Sequence, residues 1–555
     1  MKWKTLQHNG ILFPPAYEAH GIKIKIKGES VDLDLNQEEM IYQWAKKKDT
    51  PYVQDKVFQK NFTGDFAKTL PSKFKNISYQ DIDFSHAYKI VDKEKDLREM
   101  MTKDEKKALA VKRKELREKL VQKYGKAIMD GKEVDVANYM AEPPGIFIGR
   151  GDHPLRGRWK PRVTAKDVTL NLGKDAKIPE GNWGKIVHDH DSMWLAGWTD
   201  YLTEKRKYVW LADTAGLKQD RDKAKYEKAV KLSKEIEKIK DKIVKDMKNK
   251  DPKISRIATA CYLIYRTAMR VGDEKDPDEA DTVGATTLRK EHINITENTI
   301  EFDFLGKDSV RWQETVKAEG NDKQFQENLK KLIQNKKPKD EIFEDITSRH
   351  VNAYYSSIVN GLTAKVFRTY LATTMVKNYL KEHNNMKGKT PNEKLYHAKL
   401  ANLEAAIMCN HKRTIPKTFE ESLENKRDTL KNINREQPWK KTLDALKKVE
   451  LLEDKTDAQK KNKAKKIKAL NEQIKKQKEK HKERTEKLQL QIDLSEKTKD
   501  YNLGTSLRNY IDPRVFKAWT DDVGVEWEKL YTAALQKKFL WVQNEKVRWS
   551  ELAKQ

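Results

Sequence analysis

The stretch LGTSLRNYIDPR, residues 503–514, places Tyr510 beside an asparagine and between two arginines, directly after a long lysine-rich segment. A single tyrosine at helical spacing is usually a core aromatic. A tyrosine hydroxyl, with an ordinary pKa of about 10, attacks a phosphodiester only when cations and hydrogen-bond donors stabilise the developing charge. The function of Tyr510 therefore depends on whether the rest of the chain supplies arginines, a histidine and a proton donor.

The composition favours a large intracellular protein with a polyanionic partner. The chain has 555 residues, which predicts several domains, and its 114 Lys and Arg against 86 Asp and Glu give a net charge of +28. Such a charge suits nucleic acid or an anionic membrane surface. The chain lacks a long apolar run, and its N-terminus, MKWKTLQHNG, has no apolar signal core. Cys261 and Cys409 lie in apolar helical runs, so neither a disulfide framework nor a cysteine zinc site is expected.

The first part of the chain, residues 1–212, is predicted to be a mixed α/β domain. Residues 21–35, GIKIKIKGESVDLDL, alternate apolar with charged side chains and predict a hairpin that turns at Gly28–Ser30 and pairs lysines with aspartates across the strands. Residues 93–124 predict one charged helix that stops at Gly125. Further strands are predicted within the sequences IMDGKEV, VTLNLG, KIVHDHDSMWLAGW and KRKYVWLA.

Residues 213–416 are predicted to form a helical domain with a small inserted sheet. Helical periodicity is clear in ISRIATACYLIYRTAMRVG, which should stop at Gly272, and in TAKVFRTYLATTMVKNYL and LANLEAAIMCNH. Between them, residues 293–312 predict short strands with tight turns, the second of them at Gly306–Asp308.

Residues 417–499 are predicted to be a coiled-coil linker, and residues 500–555 a small helical domain. The lysine-rich stretch from Phe419 to Leu494 has sparse apolar positions at spacings of three, four and seven, which favours two helices folded back on each other over disorder. Pro438 should interrupt or start the first helix, and the turn should lie near Glu453–Asp457.

Four residues could act with Tyr510. Arg270 ends one predicted helix, Arg368 lies in the first turns of another, and His411 ends a third. Lys307 lies at the tip of the predicted hairpin LGKDS, from where a long cation can reach into a groove and donate a proton. Each also has an ordinary structural explanation, such as helix capping or a solvated surface charge, and spacing alone does not bring the five together.

The local sequences around these residues closely resemble the eukaryotic-type family of type IB DNA topoisomerases. The similarity covers nearly the whole chain and includes EPPGIFIGRGDHP, TAMRVGDEK, ADTVGATTLRKEHIN, EFDFLGKDS, GLTAKVFRTY, CNHKRTIPKTFE and LGTSLRNYIDPR in order. It implies an α+β multidomain fold: a two-lobed DNA clamp with a mixed α/β N-terminal lobe and a mainly helical catalytic domain of the tyrosine recombinase/type IB topoisomerase type. A coiled-coil linker and a small helical C-terminal domain complete it.

The resemblance also implies the functional residues. The catalytic pentad of the family falls on Arg270, Lys307, Arg368, His411 and Tyr510. Positions that contact DNA in the family correspond to Arg150, Lys207, Tyr208, Gly272, Asp273, Glu274, Lys275, Thr282, Asp308, Thr363, Ala364, Lys365, Thr505 and Asn509. The partner is expected to be double-stranded DNA, preferentially supercoiled, bound by a monomer without any membrane association.

The resemblance implies that the protein relaxes supercoiled DNA by transient cleavage of one strand. This reaction needs neither ATP nor a metal, and we expect no cofactor; the chain also lacks a G-x-x-x-x-G-K-[ST] phosphate loop. Eukaryotic members usually begin with a long charged extension that carries nuclear signals. Because this chain starts directly at the core of the family, an archaeal source is expected, with the protein in the cytoplasm at the nucleoid; a eukaryotic member would be nuclear.

Two other function classes remain open on the sequence. A tyrosine recombinase uses a similar set of Arg, Lys, His and Tyr, and a non-catalytic architectural DNA-binding protein would explain the charge. Two motifs suggest metal sites but are better explained otherwise: HDHDSMW, residues 188–194, reads as a turn between strands, and the aspartates of DLDL, residues 32–35, read as the outer face of the hairpin.

Overall fold

The structure, a computed structural model, describes residues 1–272, 283–453 and 456–554. The chain divides into two compact units. The N-terminal unit contains Met1–Ala224 together with the hairpin tip Phe304–Arg311, and the helical unit contains Lys225–Gly272, Gly284–Asp303 and the chain from Trp312 onward. The fold is mixed α/β, with the larger sheet in the N-terminal unit and mostly helices elsewhere.

The N-terminal unit is built on a seven-stranded sheet and a smaller helical layer. Its strands are β1 Leu6–His8, β2 Ile24–Ile26, β3 Glu29–Val31, β4 Ile82–Asp83, β5 Lys126–Met129, β6 Lys132–Ala137, β7 Gly145–Ile146, β8 Trp159–Lys160, β9 Thr169–Asn171, β10 Lys185–Val187, β11 Trp194–Thr199 and β12 Arg206–Leu211. Its helices are α1 Leu35–Ala45, α2 Lys56–Thr69, α3 Ser85–Met100 and α4 Lys103–Tyr124. The large sheet has the order β1-β5-β6-β12-β11-β9-β10.

The predicted early hairpin exists, but its second strand is shorter than expected. Strands β2 and β3 pair with Ile26 opposite Glu29, so the turn is Lys27–Gly28, and both residues have positive φ. The expected pairing of lysines with aspartates within this hairpin is wrong, because Lys25 faces Ser30 on β3 and Asp83 on β4. Asp34 instead caps helix α1, accepting a hydrogen bond from the Gln37 backbone at 2.8 Å.

The charged segment before Gly125 forms two helices rather than one. Helix α3 ends at Met100, and Thr102 begins α4 with a capping box, in which its hydroxyl accepts from the Glu105 backbone at 3.2 Å. Such a cap satisfies free backbone N–H groups at the start of a helix, so a second helix can begin within a stretch whose sequence pattern is helical throughout. Gly125 follows the end of α4, as predicted.

The helical unit follows as a series of helices with one inserted hairpin. Its helices are α5 Gly216–Met247, which begins in the preceding unit, α6 Pro252–Thr267, α7 Asn321–Ile333, α8 Ser348–Ile358, α9 Ala364–Glu382 and α10 Pro391–Met408. The inserted strands are β13 Ile293–Ile295, β14 Thr299–Gly306 and β15 Val310–Lys317, in that order across one sheet. The predicted strands in this region are therefore confirmed.

The lysine-rich segment forms an antiparallel helical arrangement. Helices α11 Phe419–Arg435 and α12 Lys440–Glu450 are separated around Pro438, and both pack along α13 Asp457–Lys497. Two ion pairs show that α11 and α13 are antiparallel. Arg427 on α11 contacts Glu496 near the end of α13 at 2.5 Å, whereas Glu436, just after α11, contacts Arg484 earlier on α13 at 3.3 Å. On α13 only Ile474 and Ile492 are buried, so most of its lysines face solvent.

The C-terminal segment packs on the core of the helical unit. It contains α14 Leu503–Asn509, α15 Pro513–Val523, α16 Ala533–Lys538 and α17 Trp549–Leu552. The fully buried Trp519 and Phe539 join Ala372 and Val376 of α9 and Ala401 of α10 in one apolar cluster. Burying large aromatic side chains is among the strongest packing contributions, so this cluster fixes α14 and Tyr510 against α9 and α10.

In the described part of the chain, every helix is either too short or too polar to span a bilayer.

Candidate active site around Tyr510

Tyr510 lies directly after α14, and its backbone is held on both sides. Asn502 starts that helix by accepting a hydrogen bond from the Gly504 backbone at 3.1 Å, and the Tyr510 N–H donates to the Ser506 carbonyl at 2.9 Å. The hydroxyl of Thr373, on α9, donates to the Tyr510 carbonyl at 3.2 Å and accepts from the Asp512 N–H at 3.0 Å. Tyr510 is 7% exposed, so its ring is set within the unit rather than projecting from it.

Arg270 reaches the hydroxyl of Tyr510. Its Nη1 donates to Tyr510 Oη at 3.2 Å. The prediction that Arg270 ends a helix is wrong, because α6 stops at Thr267 and Ala268 adopts a left-handed conformation with φ 53°. The extended segment that follows is fixed by the Arg270 carbonyl, which accepts from the Ala285 N–H at 2.8 Å.

Arg368 lies in the second turn of α9 and faces the ring of Tyr510. Its guanidinium carbon is 5.0 Å from the ring centroid, and its Nη2 donates to the Cys409 carbonyl at 2.7 Å. Arg368 is 6% exposed, and its Nε has no hydrogen-bond partner among the described residues. One edge of this guanidinium is therefore anchored, while another donor remains available to a ligand.

His411 stacks on Tyr510 from the loop after α10. That helix ends at Met408, Asn410 takes a positive φ of 51°, and the His411 carbonyl then accepts from the Asn502 N–H at 2.7 Å. Its ring centroid is 5.3 Å from that of Tyr510, with 28° between the planes. Thus His411 does not end the helix as predicted but follows it, which allows its ring to turn towards Tyr510.

The electrostatics of this group favour an anion. Burial, and then the positive charges of Arg368 and Arg270, lower the pKa of His411 from 6.5 to about 3, so its imidazole is neutral at physiological pH. Burial and the charge of Arg368 also lower the pKa of Arg270. Among the described residues neither guanidinium forms an ion pair with a carboxylate. A buried and a partly buried cation without a carboxylate partner are costly alone, and a bound phosphate would offset that cost.

Lys307 lies at the hairpin tip, as predicted, in a short helical turn between β14 and β15. Its side chain is exposed. This tip belongs to the N-terminal unit, where Ser309 packs against the loop that carries Arg150. The approach is so close that a Cβ atom added to Gly151 would lie only 2.3 Å from Ser309 Oγ. Of the five candidate catalytic residues, Arg270, Arg368, His411 and Tyr510 are thus brought together within the helical unit.

The residues expected to contact DNA are spread over both units. In the N-terminal unit, Arg150 is an exposed loop residue, and Lys207 and Tyr208 are exposed on β12. In the helical unit, Thr363 precedes α9, where Ala364 is buried and Lys365 exposed. Thr505 and Asn509 lie on α14, with the Asn509 side chain donating to the Thr505 carbonyl at 3.2 Å.

The remaining expected contacts lie in or beside a stretch that is not described. Gly272 ends the described segment with φ 84°, and it approaches Gly284 so closely that a Cβ on Gly284 would lie 2.5 Å from its Cα. Asp273, Glu274, Lys275 and Thr282 lie outside the described residues, as does the side chain of Asp308.

Sequence reasoning missed two residues of this site. Ser506 Oγ lies 3.3 Å from His411 Nδ1, and Thr373 holds the backbone on both sides of the tyrosine. The position of Ser506, one helical turn before Tyr510, was a signal in the sequence. No comparable signal marked Thr373, because its partners are more than a hundred residues away.

Side chains of the two suspected metal motifs make hydrogen bonds with other parts of the protein. His188 Nδ1 contacts the Leu172 carbonyl at 2.7 Å, and His190 Nδ1 contacts the Trp3 carbonyl at 3.0 Å. Asp189 accepts from the Asp191 N–H at 3.1 Å, as expected of a turn. In DLDL, Asp34 is the cap of α1 described above.

Comparison with known protein families assigns three parts of the chain. Residues 1–211 match the family model described as eukaryotic DNA topoisomerase I, DNA binding fragment; residues 214–443 match its catalytic core; and residues 482–551 match the C-terminal topoisomerase domain. Together the three matches cover most of the chain.

Individual relatives are similar in sequence to this chain along nearly its whole length. DNA topoisomerase 1 beta of Arabidopsis thaliana is 37% identical over 98% of this chain, and DNA topoisomerase 1 of Homo sapiens is 37% identical over the same share. The chain spans 59% of the length of the Arabidopsis protein and 71% of the human one. The chain belongs to the eukaryotic DNA topoisomerase I family.

Proposed function

We propose that the chain is a type IB DNA topoisomerase that relaxes positive and negative supercoils. It cleaves one strand of duplex DNA, holds the broken end as a 3′-phosphotyrosyl link through Tyr510, allows the duplex to rotate, and rejoins the strand. The reaction uses neither ATP nor a metal, and the enzyme acts as a monomer that prefers supercoiled DNA. It acts on chromosomal DNA, in a nucleoid or a nucleus.

The observation that carries this proposal is the set of donors around one hydroxyl. Arg270 hydrogen-bonds Tyr510 Oη at 3.2 Å, while Arg368 and His411 contact the same ring. A buried tyrosine in a packed core does not need two cations beside it, whereas a nucleophile that attacks a phosphodiester does. Arg368 Nε and His411 Nε2, which have no partner among the described residues, supply donors for the non-bridging oxygens.

Each residue then has a role in a balanced displacement. Tyr510 Oη forms a bond to phosphorus as the bond from phosphorus to the 5′-oxygen breaks, and the phenolic proton leaves to water. Arg270, Arg368 and His411 offset charge on the phosphorus oxygens. Lys307 gives a proton to the leaving 5′-oxygen, a task that suits a transferable ammonium proton better than a guanidinium.

The energy of the cleaved bond is kept in the phosphotyrosyl link, so religation needs no nucleotide, and torsion in the DNA drives rotation. We propose four domains for this cycle, with the boundaries expected from the sequence: a clamp lobe at 1–212, a catalytic domain at 213–416, a linker at 417–499 and a tyrosine-bearing domain at 500–555. The fourteen DNA contacts implied by the family resemblance hold the duplex, mostly through its backbone.

The direct test is relaxation of supercoiled plasmid in EDTA without ATP. We expect ladders of relaxed topoisomers from both positively and negatively supercoiled plasmids. Recombinant products would instead favour a tyrosine recombinase, and binding without any product would favour an architectural protein. An absolute requirement for magnesium would contradict the proposed chemistry.

A further inference from the structure

The ring of His411 makes one side-chain hydrogen bond in the described part of the chain, and the direction of that bond determines whether the other ring nitrogen is a donor or an acceptor. Nδ1 lies 3.3 Å from Ser506 Oγ, whereas Nε2 has no hydrogen-bond partner among the described residues. Ser506 is fully buried and His411 is 6% exposed, so solvent does not compete for this contact. A neutral imidazole carries its single proton on one nitrogen only, and the bond made by the other nitrogen decides which.

The Ser506 hydroxyl has two acceptors within reach, His411 Nδ1 at 3.3 Å and the Leu503 carbonyl at 3.4 Å. The carbonyl also accepts from the Asn402 side chain at 3.1 Å, whereas Ser506 is the one side chain among the described residues that is placed to donate to Nδ1. If the hydroxyl donates to Nδ1, the ring proton must be on Nε2. If the hydroxyl accepted from Nδ1 instead, Nε2 would carry a lone pair and would repel a phosphate oxygen.

Burial and the two arginines beside His411 remove the third alternative, an imidazolium that donates from both nitrogens. Arg270 and Arg368 both contact Tyr510, on which the imidazole stacks, and burial together with these like charges lowers the pKa of His411 and keeps the ring neutral. Because the ring is neutral and carries one proton, the tautomer decides whether Nε2 can donate a hydrogen bond.

We propose that Ser506 is a positioning residue that fixes His411 in the tautomer with the proton on Nε2, so that His411 can donate to a non-bridging oxygen of the scissile phosphate. This inference rests on the proposed function, because it assigns Ser506 a role through His411 in that reaction. It also explains why a serine sits one turn before the tyrosine, where its backbone carbonyl accepts from the Tyr510 N–H while its side chain faces His411.

The test is a double-mutant cycle on single-turnover cleavage of an oligonucleotide duplex, with the variants Ser506→Ala, His411→Gln and the double variant. Glutamine offers an amide donor but has no tautomers. We expect Ser506→Ala to slow cleavage about three- to tenfold, the range of one neutral hydrogen bond, with DNA affinity unchanged. In the His411→Gln background the same change should have no further effect, because Ser506 would no longer have a tautomer to select.

A matched control removes a different buried hydroxyl from the same region. Thr520 is fully buried on α15 and donates to the Phe516 carbonyl at 2.8 Å, and Thr520→Val should leave the cleavage rate unchanged. Thermal melting of all variants corrects for any loss of folded protein.

The outcomes separate this inference from the proposed function. Cleavage by Ser506→Ala at the wild-type rate, or an equal loss in the His411→Gln background, would overturn the role of Ser506 while leaving the topoisomerase proposal intact. If the wild-type protein itself formed no covalent complex with the duplex, the proposed function would fail before the cycle could be read.

Discussion

The Tyr510 cluster and the Lys307 hairpin tip differ in how their groups are held. Arg270, Arg368 and His411 are partly or fully buried around Tyr510, and each has a hydrogen-bond partner there: Tyr510 Oη for Arg270, the Cys409 carbonyl for Arg368 and Ser506 Oγ for His411. Lys307 is exposed on a short turn. The contrast teaches that the groups proposed to stabilise charge are held in place by the fold, whereas the residue proposed as the proton donor is carried on an exposed tip. Preorganised donors are worth most where no reorganisation is needed during the reaction.

The largest effect should come from Lys307→Ala, which tests the exposed side of this comparison. Loss of a general acid should slow cleavage by about 10²- to 10⁴-fold with little change in DNA affinity. A substrate with a 5′-bridging sulfur needs no proton on its leaving group and should restore the rate. Lys317→Ala removes another exposed lysine from the same hairpin and should have little effect. If the sulfur substrate gave no rescue, another residue would be the acid.

A smaller effect should come from Thr373→Val, which tests the buried side. The variant removes the hydroxyl that bridges the Tyr510 carbonyl and the Asp512 N–H, so we expect single-turnover cleavage to slow about three- to tenfold, as for the removal of one hydrogen bond. Thr369→Val is the matched control, because Thr369 is fully buried one turn earlier on α9 and its hydroxyl has no partner among the described residues. Equal rates for the two variants would contradict a positioning role for Thr373.

The smallest effect on chemistry should come from the linker, whose charges lie outside both sites. Replacing five exposed lysines of α13 by glutamine should leave cleavage unchanged and lower the salt dependence of DNA binding; the five are Lys465, Lys466, Lys468, Lys475 and Lys476. The slope of log affinity against log salt should fall by about one for each DNA phosphate that the variant no longer neutralises. The same five changed to arginine keep their charge and should retain the wild-type slope. An unchanged slope in the glutamine variant would contradict an electrostatic role for the linker.

The sequence predicted which residues lie around Tyr510 better than it predicted their local geometry. Arg270, Arg368 and His411 were expected there and contact Tyr510 in the structure, whereas the role of Lys307 stays a prediction. The end of α6 was wrong by several residues, because apolar periodicity continues through Val271 while Ala268 already leaves the helix in a left-handed conformation. That turn is fixed by backbone bonds to Ala285 and Thr286, which are distant in sequence.

The same limit applies to the residues that support the site. Ser506 and Thr373 act through contacts with His411, Tyr510 and Asp512 that only the packing of α9, α10 and the C-terminal helices creates. Local caps were a further source of error: Asp34 and Thr102 each start a helix where side-chain alternation or charge alone suggested continuity. Periodicity reports which residues are buried, whereas caps and long-range bonds decide where elements end.

The central claim, that Tyr510 is the nucleophile, is tested most directly by trapping the covalent complex. A nicked suicide substrate loses the short fragment after cleavage and should leave the wild-type protein joined to a DNA 3′-phosphate. Peptide mapping of this adduct should identify Tyr510. Tyr510→Phe removes one oxygen, so it should bind the duplex with nearly wild-type affinity and form no adduct, while Tyr501→Phe, a nearby control, should form it normally. A covalent adduct formed by the Tyr510→Phe protein, or mapped to another residue of the wild type, would contradict this account.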